Sequence, residues 1–555
     1  MNKKHLLLSL LLPLVFLSAC VFSKKNSNSY DEIEPGFLYS KSLSNMTKQF
    51  ARAGLESGFE QIVFTDLPAE EGEKNYYALQ VTNASPGFNN FNISLPGEEK
   101  DNEEPEPSFL KVLNNTGNKE AFKRLSQVIS SDMPIRKCGL PNLEDIENLY
   151  VRANLRANKI PVPVYNHADE IEGEEYFVPV LGKSVKVTLA KVTENAKFFV
   201  DYNSYKGAGD ELFVHNTDPV VLEALAKEFE TYIYPFMTEN YGKVHDVDKD
   251  GKLSILLSPY YSSLGYAGLF YCYDLLSAEN PRDLIGIGTR IDSSLPIWLR
   301  DARETIVHEM QHAINYSSKL KVDASGKVLG ARQEDLAIDE GLSVCAEGRY
   351  RQYRGQHDEY TVVYEAGTER ARVDSIANDP RFANWISTGV SDLDLFYFPQ
   401  NSQKLADYGQ KGLFYIYLFE RFGKDFMKAL TISVDSGASK IEQLSGYTID
   451  ALFTDWNYAL LVELTQGFAP EIKEAVQKGD LNGAVRYSYK ENMRLPSYIH
   501  YIEMGILTDA RNLGVNSNAS FLCLVEQPPE LASATSFYFS SKKPGLRVNI
   551  MRLTK

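Results

Sequence analysis

His308 and His312 are four residues apart, with Glu309 directly after the first, in the stretch 306–315, I-V-H-E-M-Q-H-A-I-N. On a helix that spacing sets both imidazoles on one face, about one turn apart. A single zinc ion can accept a nitrogen from each. Glu309 projects to the side, within reach of a water on such an ion. The chain has only 8 histidines, so the arrangement is not a product of a histidine-rich composition. The plain alternative is an amphipathic helix whose polar side carries two histidines.

A catalytic zinc takes three protein ligands and keeps one position open. Two histidines leave one ligand to find. The stretch 337–348, A-I-D-E-G-L-S-V-C-A-E-G, is the strongest source. Glu340 follows His312 at a distance that leaves chain for a turn and a second helix returning alongside the first. Glu340 and Glu347 fall on one helical face, at i and i+7. Glu340, beside Gly341, is the expected third ligand. Glu347 is expected either to hold the outer nitrogen of a ligating histidine, which such rings need, or to be an ordinary surface carboxylate.

Periodicity names the elements that must position these groups. Residues 301–319 form the helix of the two histidines and 333–349 the next helix. Strands are expected ahead of them at 175–181, 185–189, 196–201, 253–257 and 284–289. A long helix opens at Asp218-Pro219, with Asp218 as its cap, and runs to about residue 237. Further helices follow at 368–378, 408–421, 423–433, 440–445 and 450–465. The class is α+β, with a mostly helical second half.

Between strand and helix signals lies 245–257, H-D-V-D-K-D-G-K-L-S-I-L-L. Asp246, Asp248, Asp250 and Gly251 match the first half of a calcium loop. The closing glutamate of an EF-hand is replaced by Leu257. Either a partial Ca2+ site or an acidic turn into a strand fits the pattern.

The flanks read differently. Residues 21–60 are a polar tether and 61–108 a small N-terminal β-domain ending in an acidic linker, G-E-E-K-D-N-E-E-P-E-P-S. A helical connecting segment covers 109–174, and 481–555 is a C-terminal β-rich segment. Residues 1–20 combine a basic start, an apolar run too short to span a bilayer comfortably, and Leu17-Ser18-Ala19-Cys20. They resemble a bacterial lipoprotein signal peptide, which implies acylation of Cys20, palmitate included, and anchoring in a lipid bilayer. An ordinary secretory leader is the alternative. Export to the cell envelope, at the outer membrane or cell surface, is the expected location. Cys138, Cys272, Cys345 and Cys523 are then free to pair as disulfides or to stay buried thiols. A net charge of -16 argues against nucleic acid as a partner.

Together, His308-Glu309-Met310-Gln311-His312 and Asp339-Glu340-Gly341-Leu342-Ser343 resemble the gluzincin metallopeptidases, and within them the hyicolysin-like family. The resemblance covers about 175–465, inside a domain bounded at 175–480. It implies a zincin-like fold, one catalytic Zn2+ held by His308, His312 and Glu340, Glu309 as general base, and a protein or peptide substrate. It also points to Tyr408, in A-D-Y-G-Q-K-G-L-F, as the donor that steadies the oxyanion; packing in the core is the other reading. The strand at 284–289 is expected at the rim of the cleft, where an extended substrate can pair with it. The thermolysin-like E-x-x-x-D spacing is absent, because Val344 follows where aspartate would stand.

A zinc endopeptidase acting outside the cytoplasm is the reading these residues favour. Against it stands a non-peptidase or catalytically degenerate zinc lipoprotein serving as envelope scaffold or adhesin. A purely structural zinc site has no need of Glu309. An aminopeptidase ranks lower, since no motif for holding a free amine precedes the metal helix.

Overall fold

A computed structural model describes most of residues 50–94, 166–201, 219–355, 379–465 and 500–554. The leader with Cys20, residues 21–49 of the tether, the acidic linker 97–108, residues 109–165, the cap Asp218 and the expected helix at 368–378 lie outside the described residues.

The N-terminal strands are β1 (Phe50–Leu55), β2 (Gly58–Phe64), β3 (Asn75–Asn83) and β4 (Asn89–Ser94). The next three, β5 (Glu175–Val180), β6 (Lys183–Val192) and β7 (Ala196–Val200), open a second, larger sheet. They are followed by α1 (Pro219–Glu228) and α2 (Tyr234–Asn240). Between these helices the hydrogen-bond ladder widens to a π turn at Phe229–Ile233. Pro235 lies just beyond and has no N–H to give to a regular ladder.

The large sheet continues with β8 (Leu253–Ser258), β9 (Gly268–Phe270) and β10 (Leu284–Gly288), in the order β5-β6-β7-β8-β10-β9. The residues of β8 and β10 are buried throughout, as expected for strands covered on both faces. The helix bearing the histidines, α3 (Leu295–Ser317), packs on β9 and β10. It starts at Leu295 rather than 301, and Pro296 suits its first turn. After a short hairpin, β11 (Leu320–Val322) and β12 (Val328–Ala331), comes α4 (Leu336–Gly355), which packs on α3. On the far side of α4 lies α5 (Leu405–Phe422), followed by α6 (Lys424–Ile432), α7 (Ala438–Ser445) and α8 (Ile449–Thr465). One apolar core joins the sheet to α3, α4 and α5 through Ile255, Ile285, Ile306, Met310, Leu342 and Leu413.

The expected rim strand is corrected by the topology. Strand β10 lies between β8, parallel to it, and β9, antiparallel to it, so both of its edges are paired. Among the described residues the sheet ends at β9. Three residues are too few to show an alternating pattern, which is why periodicity passes over β9.

The two ends of the chain are also corrected. They do not form separate β-regions. The C-terminal strands are β13 (His500–Glu503), β14 (Asp509–Val515), β15 (Ala519–Gln527), β16 (Thr535–Ser541) and β17 (Leu546–Thr554). They interleave with the first four in two sheets, β1-β17-β3-β15-β13 and β14-β4-β16-β2. Strand β3 is paired along its whole length by β15 on one side and β17 on the other. Strands β1 and β2 therefore begin inside the segment expected to be a tether. Each set alone leaves strand edges unpaired, and exposed edges are a liability that pairing removes. The two sheets meet where Phe91 stands edge-on to Phe521, ring centroids 5.6 Å apart. Gln80 Nε2 donates to the Asn457 carbonyl at 2.6 Å, which ties this β unit to α8.

Candidate metal centre

Helix α3 brings His308 and His312 to one face, and α4 brings Glu340 opposite them. All three are buried, and one ligand atom from each lies within 4.8 Å of the others. Glu340 Oε2 is 3.4 Å from His308 Nε2 and 3.8 Å from His312 Nε2. The two imidazoles stand 4.8 Å apart between centroids at 76°. His308 Nε2 and Glu340 Oε2 are buried polar atoms that no hydrogen bond satisfies among the described residues. Such atoms are costly to leave without a partner. A cation among them removes that cost. Two imidazole nitrogens and one carboxylate oxygen are a donor set that suits zinc.

The outer nitrogens of both rings are held. His308 Nδ1 lies 2.5 Å from Glu347 Oε1. Arg381 grips Glu347 through two parallel bonds of 2.9 Å each, and its Nε donates to Asp379 at 2.8 Å. His312 Nδ1 lies 2.8 Å from Asp339 Oδ2. Asp339 Oδ1 accepts from Asn315 Nδ2 at 2.6 Å. A proton on each Nδ1 satisfies these carboxylates and leaves each Nε2 lone pair facing Glu340, the arrangement that fixes metal-binding histidines elsewhere. Ser343 Oγ lies 3.1 Å from His312 Nδ1, so positions 339, 343 and 347, at i, i+4 and i+8, turn one face of α4 toward α3.

The electrostatics agree. Burial opposes charge on His308, but Glu340 and Glu347 outweigh it and raise its pKa to about 10, so without an ion a proton on Nε2 takes the cation's place. Burial pushes the Asp339 carboxyl up, yet His312 and Asn315 hold it below the usual carboxylate range. The cluster has an excess of negative charge and a demand for a cation.

Glu309 is 1% exposed on α3. It lies directly under β9: a Cβ on Gly268 would come within 2.7 Å of Glu309 Oε1 and 2.4 Å of Thr305 Cγ2. Gly268 is therefore required by close approach, and the edge strand runs over the carboxylate. Tyr408 lies in the first turns of α5, buried, its ring edge-on to Phe398 at 4.9 Å. That packing favours the core reading of Tyr408.

At the acidic turn the structure changes the expected membership. Asp246 and Asp248 are joined by Asp283, not by Asp250. Asp250 Oδ2 is instead 2.6 Å from Lys197 Nζ, which also bonds Glu170. Cys272 and Cys345 are free, buried thiols.

Residue patterns missed three participants. Asp339 stands next to Glu340 and carries the same signal, so it was within reach. Gly268 and Arg381 come from outside any motif, and nothing in the local sequence marks them.

No protein-family model matches the chain. The neutral metalloprotease ShpI of Staphylococcus hyicus is 26% identical to it over 209 residues, 34% of this chain and 43% of that protein. The match thus spans less than half of the relative's length. At this identity it connects the chain with a metalloprotease in a general sense, in keeping with the buried His308, His312 and Glu340 group.

Proposed function

We propose that this chain is a zinc-dependent endopeptidase with a zincin-like catalytic domain. One observation carries the reading: His308 Nε2, His312 Nε2 and Glu340 Oε2 converge in a buried pocket while the outer nitrogen of each ring is already held by a carboxylate. The low-identity likeness to a metalloprotease supports it.

His308, His312 and Glu340 would hold the ion. When bound, zinc supplies Lewis acidity that ionises water at neutral pH and polarises the scissile carbonyl. Glu309, beside these ligands and beneath β9, takes the proton of the attacking water and hands it to the leaving amine. Glu347 and Asp339 keep the rings from turning. The outer edge of β9 receives the substrate in extended form, so that its backbone lies over Glu309. In this reading Tyr408 packs the helix that backs α4. The substrate class that goes with the leader pattern of residues 1–20 is protein outside the cytoplasm, met by an enzyme anchored through Cys20.

The test measures bound metal and cleavage of an unfolded protein together, for the full chain and for Glu309→Gln. The reading expects one zinc per chain in both, with cleavage in the first only. Zinc without cleavage in either would favour the scaffold alternative. A folded, zinc-treated protein that retains none would overturn the proposal.

A further inference from the structure

A second cluster of acids stands apart from the metal centre, at the ends of β8 and β10. Asp246 and Asp248 lie in the turn that enters β8, and Asp283 immediately precedes β10. One carboxylate oxygen from each lies within 4.8 Å of the other two. Acidic turns are common without ions, so this proximity alone decides nothing. What sets the cluster apart is Asp283. It is 3% exposed, and among the described residues its Oδ1 has no hydrogen-bond partner. Asp248 Oδ2 is likewise buried and has no hydrogen-bond partner among the described residues. A buried carboxylate oxygen without a donor is far more costly than an exposed one.

The nearby cations Lys197 and Arg282 make their side-chain bonds outside the cluster, and Arg282 reaches Asp248 through its charge alone. Lys197 Nζ bonds Asp250 Oδ2 at 2.6 Å and Glu170 Oε2 at 3.0 Å. Arg282 bonds Glu170, Ser254 at 3.2 Å and His167 at 2.5 Å. The third aspartate of the D-x-D-x-D-G turn is thus consumed by a lysine, and Asp283 from the neighbouring strand takes its place. The remaining bonds shape the turn rather than neutralise it. Asp246 accepts from the backbone N–H groups of Asp250 at 3.1 Å and Gly251 at 3.2 Å.

We propose that Asp246, Asp248 and Asp283 form a second cation site, distinct from the His308, His312 and Glu340 group, which takes calcium. The donors are all oxygen, with no imidazole or thiolate, which selects a hard cation over zinc. Calcium accepts several carboxylates at about 2.3–2.6 Å, so two oxygens on opposite sides of one ion stand up to about 5 Å apart. Magnesium keeps most of its waters and favours one or two carboxylates. The ion ties the turn before β8 to the start of β10, the two parallel strands that lead out to β9. The site stands whether or not the chain is a peptidase.

The experiment uses the full chain loaded with zinc and freed of calcium by a calcium-selective chelator. Calcium binding is followed by equilibrium dialysis, and the melting temperature is recorded with and without calcium. One calcium per chain and a rise in melting temperature are expected for the wild type. Asp283→Asn should bind at least tenfold more weakly, with its zinc content unchanged. Asp246→Asn, at the surface, gives the same reading even if the buried variant does not fold. The proposal is overturned if the wild type binds no calcium at millimolar concentration, or if Asp246→Asn and any folded Asp283→Asn bind it as tightly as the wild type.

Discussion

His308 Nδ1 and Glu347 Oε1 lie 2.5 Å apart, two helical turns beyond the point where Glu340 meets the same imidazole from the other side. The ring is thus clamped between a carboxylate that holds its Nδ1 and one that faces its Nε2. Orienting carboxylates of this kind are worth about 10–100-fold in metal affinity. Glu347→Gln should therefore weaken zinc binding by that factor, measured by competition with a chromogenic chelator, while the chain stays folded. Arg381 keeps Asp379 as a partner in the variant. An unchanged affinity would leave Glu347 with a purely structural part.

Gly268→Ala addresses the other side of the pocket. The new methyl group would meet Thr305 and the Glu309 carboxylate at distances that force one of them to move. Neither lies among the three proposed ligands, so zinc content should not change. A displacement of about 1 Å at a reacting group can cost about 100-fold in rate. Cleavage should fall by about that factor in kcat/KM with one zinc still bound. Full activity in Gly268→Ala would separate β9 from the chemistry.

How much of this was open to reading depends on where the partners lie along the chain. His308, Glu309 and His312 share one turn of one helix, so their geometry follows from spacing. Glu340 required a second motif, and its neighbour Asp339 came with it unrecognised, because adjacent residues on a helix point to different partners. Arg381, Gly268 and Asp283 reach their sites through tertiary folding, and no local pattern records that. The same holds for the ends of the chain. The β-character of the region expected at 61–108 shows in its alternation, but a strand does not carry the address of its partner. Only the fold shows that β3 is completed by β15 and β17. Asp250 shows the converse: its place in a calcium-like motif was plain, and the neighbouring Lys197 took it out.

Cys272 and Cys345 should be silent toward thiol reagents. Burial raises the Cys272 thiol to about 11 and the Cys345 thiol to about 12, so the reactive thiolate is scarce at neutral pH. Cys345 also lies 3.7 Å from the Tyr241 hydroxyl inside the core. Mapping by mass spectrometry after alkylation at pH 8 should find both unmodified in the folded protein and both modified in denaturant. Rapid labelling of Cys345 in the native state would contradict the packing around α4, and of Cys272 the packing beside Tyr316 of α3.

Lys411, on α5, gives a prediction for alkaline pH. It is fully buried, and its Nζ donates to the Asp394 carbonyl at 2.9 Å and to Gln410 Oε1 at 3.0 Å. Burial lowers it from 10.5 to about 8, against the pull of Asp407 and Asp394. Between those values the folded chain has released a proton that the unfolded chain still holds. Stability rises with pH wherever the unfolded state binds more protons, so this lysine penalises the fold below about pH 8 and the penalty fades toward pH 10.5. Lys411→Met lacks the titration and keeps every other one. The stability difference between the two proteins should therefore move in favour of the wild type by about 2–3 kcal/mol from pH 7 to pH 10. Urea denaturation of both at each pH measures it. A difference that stays constant across this range would mean that Lys411 titrates in the fold as it does in water.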